Sequence, residues 1–173
     1  MNNKKKPVVF LDRDGVINKD TGHLHKYKDF KWLPGVFDAL KLIKEKNYLI
    51  IVISNQSGIG RGLYTENDVK FLHKKINIHL KKKINFKIDD FYYCPYHPKY
   101  GLGKYKKKSF DRKPNPGMIL KAIKKWNIKK EESFMIGDKK SDYIASKKAN
   151  IKFFYKSDQR FITQIKKIFG DIV

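Results

Sequence analysis

Val8-Val9-Phe10-Leu11-Asp12-Arg13-Asp14-Gly15 joins a short apolar run of β-formers to two carboxylates and a glycine. Four apolar residues in a row with no polar alternation read as a strand buried on both faces. The two carboxylates then fall at its carboxyl end, two residues apart and able to enter one cavity. Taken alone, the pair is equally a solvated Asp-Gly turn.

The rest of the chain continues in the same manner. Pro34-Gly35 opens a helix that places Val36, Leu40 and Ile43 on one face. Leu49–Ile53 is continuously apolar, as a central parallel strand should be. Thr65 is placed to cap a helix carrying Val69, Leu72, Ile76 and Leu80. Phe91-Tyr92-Tyr93 reads as a third strand, and residues 95–112 as a long loop with Pro95, Pro98, Gly101, Gly103 and a lysine run. Pro116 suits a first helical turn, with the helix running to about Trp126. A fourth strand (Phe134–Ile136), a short helix (Ser141–Ala149) and a fifth strand (Ile151–Tyr155) follow. The tail, 157–173, reads as an amphipathic helix with Phe161, Ile165, Ile168 and Phe169. Strands alternating with helices predict an α/β fold, three-layered and Rossmann-like, with a central parallel sheet. At 173 residues a single domain over 1–173 is expected, with its core in 7–156.

Composition narrows the class. Hydrophobic residues make up 40% and aromatics 14%, enough for a core, which excludes global disorder. No apolar run approaches the roughly 18–20 residues of a membrane span. Met1–Lys6 is basic, but Pro7–Leu11 is too short for the core of a signal peptide. A lone cysteine, Cys94, excludes a disulfide framework and a four-cysteine zinc site. The expectation is a cytoplasmic protein with no membrane partner, and a monomer by default.

The net charge is +23, yet only four of the 40 basic residues are arginine: Arg13, Arg61, Arg112 and Arg160. Nucleic-acid readers favour arginine, whose fork matches phosphates and guanine edges. Lysine is spread over every segment here, alongside abundant Ile and Asn. That fits the codon usage of an AT-rich genome at least as well as a binding surface. The positive field attracts anionic substrates of any kind.

In an open parallel sheet, ligands gather beyond the carboxyl ends of the strands. The residues there form one chemical set. Asp12 and Asp14 follow the first strand; a carboxylate pair of this kind supplies a nucleophile and a proton donor for phosphoryl transfer. Ser54-Asn55-Gln56-Ser57-Gly58-Ile59-Gly60-Arg61-Gly62 follows the second strand, and its small residues are expected to leave backbone N–H groups open to an anion. It is not a Walker loop, since no Gly-Lys-Ser/Thr follows. Arg112-Lys113-Pro114 precedes a helix, and a lysine there can neutralise both an aspartate and a phosphate. Gly137-Asp138-Lys139 follows the fourth strand. Asp138 completes a set of hard oxygen ligands suited to Mg²⁺. Asp142 is read as a helix cap or a loop-orienting residue. His73 and His79 are expected on a solvated helix face.

This order, Asp12-x-Asp14, Ser54, Lys113, Gly137-Asp138, resembles the four motifs of the haloacid-dehalogenase superfamily of phosphatases. More narrowly the chain is similar to the D-glycero-D-manno-heptose 1,7-bisphosphate 7-phosphatase and histidinol-phosphatase family. The likeness runs through Phe10–Asn18, Gly22-His-Leu-His-Lys26, Ser54–Gly62, Tyr92-Tyr-Cys-Pro95, Arg112–Met118 and Met135–Lys139. It implies a Mg²⁺-dependent phosphatase acting on a sugar bisphosphate through an aspartyl-phosphate. Asp12 would be the nucleophile and Asp14 the general acid and base. Asp12, Asp138 and the backbone carbonyl of Asp14 would hold Mg²⁺. Ser54 and Lys113 would hold the transferring phosphoryl group, and Arg112 the second phosphate. Asn55, Gln56, Ser57, Lys139, Asp20, Gly22 and His23 are expected at the substrate. No large cap domain is expected, only a specificity loop at 95–112.

One departure stands out. The family's zinc loop carries Cys-x-His and Cys-x-Cys. Here the pairs read Cys94-Pro95-Tyr96 and Ser109-Phe110-Asp111, so zinc is not expected, and Tyr96, Tyr100 and Tyr105 are expected to pack the loop instead. Related activities are histidinol-phosphatase, whose second motif differs, and polynucleotide 3′-phosphatase, which shares Gly58–Gly62. A nucleic-acid partner is the less favoured expectation.

Overall fold

The computed structural model describes residues 5–172. Five parallel strands form one sheet: β1 (Val8–Leu11), β2 (Leu49–Asn55), β3 (Asp90–Cys94), β4 (Phe134–Gly137) and β5 (Lys152–Tyr155). Their order is β3-β2-β1-β4-β5, with Leu11 level with Val52 on one side and Ile136 on the other. All four residues of β1 are fully buried, because the strand is paired on both edges and covered on both faces.

The period of two along β1 divides its side chains between two cores. Val9 and Leu11 face one layer, built from α1 (Val36–Glu45), α3 (Glu66–Ile84) and α6 (Phe161–Ile172) through Leu40, Ile43, Leu72, Ile76, Phe161 and Ile165. Val8 and Phe10 face the other, built from α4 (Gly117–Trp126) and α5 (Lys140–Lys148) through Met118, Ile119, Ala122 and Ala145. Between β1 and α1, and again between β3 and α4, the chain carries long irregular segments with only single 3₁₀ turns, at Tyr27–Asp29 and Gly103–Tyr105. The chain winds outward from β1 through β2 to β3, then returns to the opposite side of β1 for β4 and β5. The crevice where that winding reverses lies at the carboxyl ends of β1 and β4, the usual ligand position in such sheets.

Helix ends follow local chemistry. Thr65 caps α3 through a reciprocal box with Asp68. The carboxyl ends of α1, α3, α4 and α5 each stop at an asparagine of positive φ: Asn47, Asn85, Asn127 and Asn150. These are left-handed turns that more often carry glycine.

Several boundaries differ from the sequence reading. The stretch after β2 is not an open glycine loop; Ser57–Gly60 is one helical turn, α2, with Gly58 and Gly60 buried. A Cβ on Gly58 would lie 2.2 Å from the Tyr64 ring, and one on Gly60 2.5 Å from the Pro95 carbonyl. These glycines allow close packing. Pro116 stands at the cap of α4, not inside its first turn. Residues 157–160 precede α6 as loop, and Val173 lies outside the described residues, as do residues 1–4. No helix among the described residues is long and apolar enough to cross a membrane.

His73 and His79 are not on a solvated face. His73 is buried and stacks on Phe91 with ring centroids 4.2 Å apart, and burial pushes its pKa down to about 3. His79 packs among Tyr27, Trp32 and Phe37. The lysines around them on α3 hid an inward-facing stripe of rings.

Candidate active site

The carboxyl end of β1 delivers Asp12 into a buried position, its backbone N–H still in the sheet ladder with the Ile136 carbonyl. Lys113 arrives from the loop before α4 and donates to Asp12 Oδ1 at 2.8 Å and to the Ile53 carbonyl at 2.8 Å. Asp142 of α5 pairs with the same ammonium at 2.6 Å. Burial alone would lower the Lys113 pKa, but the carboxylates of Asp12 and Asp142 on either side more than offset it, and the ammonium stays charged. Burial pushes the Asp12 carboxyl up against the pull of Lys113.

Asn55 fixes the lysine's backbone. Its amide donates to the Lys113 carbonyl at 3.0 Å and accepts from the Lys113 N–H at 3.1 Å. Gln56, also buried, donates to Ser54 Oγ at 2.7 Å and to Asp14 Oδ2 at 3.2 Å, and accepts from the Tyr64 hydroxyl at 2.8 Å. With its oxygen already accepting from Gln56, the Ser54 hydroxyl can aim its own proton at an anion. Asn55 and Gln56 thus act mainly on protein groups.

Asp14 is gripped by Arg13, which donates from Nε and Nη2 at 2.9–3.2 Å, and by Asn18 at 2.9 Å. Arg13 is wholly buried and also donates to the Leu24 carbonyl at 2.8 Å. It therefore ties Asp14 to the segment carrying Asp20, Gly22 and His23. There Asp20 accepts from the Gly22 N–H and pairs with Lys139 at 2.9 Å. Burial would raise the Asp20 carboxyl, but those two donors hold it low, and Lys139 is raised in turn.

A cleft of about 200 Å³ is lined by Asp14, Asp20, Gly22, His23, Asn55, Gln56, Ser57, Tyr64 and Lys139. A smaller hollow of about 50 Å³ lies among Asp12, Ser54, Lys113 and Asp142, sharing Asp14, Asn55 and Lys139 with the cleft. Arg112 lines neither. Its Nη1 donates to the Tyr96 carbonyl at 3.1 Å, within the 95–112 loop.

Asp12, Asp138 and Asp142 offer carboxylate oxygens within 4.8 Å of one another. Burial and then the charge of Asp12 raise Asp138 to about 6. Carboxylates crowded to that degree fit a hard divalent cation such as Mg²⁺. Asp142 joins this group as well as capping α5, where it accepts from the Lys139 N–H. The sequence reading of Asp142 as a helix cap or loop-orienting residue does not include this role, and it singles out neither Asn18 nor Tyr64, nor Arg13 as a site residue. The one available signal was an arginine flanked by two aspartates at a strand end.

The degenerate zinc positions remain neighbours. Cys94 is buried at the end of β3, with Ser109 and Asp111 beside it. Tyr96 lies under Lys107 at 4.3 Å and against Tyr105 at 5.9 Å. The Tyr105 and Tyr93 hydroxyls both donate to Glu66. Tyr100 is half exposed and packs against His97 of the loop and against Arg61.

A family profile described as Polynucleotide kinase 3 phosphatase matches residues 7–170. The chain belongs to this family of haloacid-dehalogenase phosphatases. This phosphatase, a phosphoric monoester hydrolase, is 42% identical over 147 residues to a protein of Haemophilus ducreyi named D-glycero-beta-D-manno-heptose-1,7-bisphosphate 7-phosphatase, covering 85% of this chain and 80% of that one. It is equally 42% identical, over 85% of this chain and 77% of the other, to the Burkholderia mallei protein named for the alpha anomer. The fold is that of D,D-heptose 1,7-bisphosphate phosphatase from B. bronchiseptica, solved with magnesium and phosphate: TM-score 0.80 at 20% identity, over 95% of this chain and 99% of that chain.

Proposed function

We propose that this phosphatase removes the 7-phosphate of D-glycero-D-manno-heptose 1,7-bisphosphate, as a cytoplasmic monomer that depends on Mg²⁺ and needs no zinc. The observation that carries the chemistry is the buried Asp12 carboxylate held 2.8 Å from Lys113 at the end of β1. The names of the relatives carry the substrate class.

An Asp12 oxygen attacks phosphorus, and the P–O bond to the sugar breaks. Asp14 gives its proton to the departing sugar oxygen. Water then attacks the aspartyl-phosphate, its proton passes to Asp14, and the P–O bond to Asp12 breaks to release phosphate. Lys113 and the Ser54 hydroxyl steady the phosphoryl oxygens throughout. Arg13 and Asn18 keep the Asp14 carboxylate at its post. Asp12, Asp138 and the Asp14 carbonyl would hold Mg²⁺, with Asp142 beside them; the bound ion would offset the crowding of carboxylates against a dianionic phosphate.

The family's name and the +23 charge support a second reading, a polynucleotide 3′-phosphatase. One assay separates the two. Phosphate release is measured with Mg²⁺ on both anomers of heptose 1,7-bisphosphate, on histidinol phosphate and on a 3′-phosphorylated oligonucleotide. The heptose bisphosphates are expected to lead, and Asp12→Asn to lose about 10⁴-fold or more. Faster turnover of the oligonucleotide would overturn the sugar reading.

A further inference from the structure

We propose that Arg61 and His97 join Arg112 in an anion subsite on the 95–112 loop, and that this subsite takes the second phosphate of the substrate. The inference rests on the bisphosphate reading and adds two residues to it.

Arg61 follows α2, and its guanidinium carbon lies 4.5 Å from the centre of the Tyr100 ring. Its Nε is buried and has no hydrogen-bond partner among the described residues. His97 packs against the same ring, with centroids 4.8 Å apart. The His97 Nδ1 accepts from two backbone N–H groups, Lys99 and Tyr100, each at 3.1 Å. An acceptor Nδ1 places the ring proton on Nε2, so neutral His97 presents one fixed donor. Among the described residues the Arg112 side chain is anchored through a single bond, to the carbonyl of Tyr96, the residue before His97. A planar fork with five donors keeps the rest for a ligand.

Charge is the second line of argument. Arg13, the buried arginine of the site, is matched by Asp14. Among the described residues Arg61 and Arg112 have no such partner; burial and then the charge of Arg61 disfavour the charge of Arg112, and burial and then both arginines disfavour that of His97. The nearby Asp111 is paired with Lys121, so these part-buried cations complement an anion, and a guanidinium pair suits a phosphate best. The place is also right. Arg112 directly precedes Lys113, whose ammonium touches Asp12, and α2 begins at Ser57 in the cleft. The Leu102 N–H donates to the Gly60 carbonyl at 2.7 Å, so Arg61 is tied to the loop.

One other basic place borders the metal-type carboxylates: a cleft of about 410 Å³ lined by Gly15, Asp138, Lys156 and Arg160. There the Lys156 ammonium is already turned to the Ser157 and Gln159 carbonyls. Only Arg160 is left to meet a ligand.

The test compares kcat/KM for heptose 1,7-bisphosphate with that for heptose 7-phosphate, in the full-length enzyme with Mg²⁺. The wild type is expected to prefer the bisphosphate. Arg61→Gln is expected to cut that preference about tenfold through KM, with Arg61→Lys recovering part of it, and His97→Phe to cut it several-fold. Arg160→Gln is expected to leave the preference in place; matching thermal melts show that each variant is folded. A preference that survives Arg61→Gln, or that falls with Arg160→Gln, overturns the subsite while the bisphosphate reading stands. A wild type that takes both sugars equally well overturns both.

Discussion

Lys113 and Arg112 are adjacent in the chain and opposite in circumstance. Lys113 is almost wholly buried, between Asp12 and Asp142, and its charge is balanced within the protein. Arg112 is half-buried, bonded to one carbonyl, and faces a second arginine. The catalytic end of the site is therefore electrostatically complete before substrate arrives, and the loop end is completed by substrate. His73 shows a third way to bury a titratable group: without a charged partner, by staying neutral against Phe91.

The sharpest way to break this contrast is to remove the balanced cation. Lys113→Met leaves two buried carboxylates facing each other and is expected to cost about 3–5 kcal/mol in urea denaturation, while Arg112→Gln stays within about 0.5 kcal/mol. Equal losses would mean that Arg112 is also balanced inside the fold.

Acid separates His73 from both. Its folded pKa of about 3 lies below the ordinary 6.5, so below pH 6.5 the unfolded chain takes up a proton that the folded chain refuses. Stability should fall as pH drops from 6.5 toward 3, by about 1.4 kcal/mol per pH unit from this group, and gain nothing from it above 6.5. His73→Leu should flatten that part of the profile in denaturation series from pH 7 to pH 4. An unchanged slope would place the acid sensitivity in carboxylates held low in the fold, such as Asp20 and Asp90.

The smallest effect is expected at the loop. With Tyr96 under Lys107 and two tyrosines on Glu66, its packing is made by side chains. The melting temperature should not move when EDTA is added to the purified enzyme. A fall reversed by zinc and not by magnesium would show that Cys94 and its neighbours still bind metal.

The alternation of apolar runs and helical stripes makes the five strands, their parallel direction and most helices readable from residue order. The strand-end aspartates, Ser54 and Lys113 are readable for the same reason: the sheet forces such residues to one edge. What escaped was polar chemistry turned inward. Arg13 and His73 are residue types that periodicity assigns to the surface, and only the carboxylate beside one and the ring beneath the other make burial tolerable. The turn at Ser57–Gly60 escaped because its glycines make room for Tyr64 and Pro95, groups distant in the chain or known only after folding. The placement of Arg61 beside Arg112 joins segments about fifty residues apart, which no local pattern encodes.

The four helices that end on Asn47, Asn85, Asn127 and Asn150 separate durability from catalysis. Each turn is left-handed, a backbone that asparagine tolerates and glycine adopts freely, and none of the four residues lines the cleft or the hollow. The phosphatase can therefore be hardened or softened at its periphery, one helix end at a time, while the carboxylates and cations that do the chemistry keep their positions.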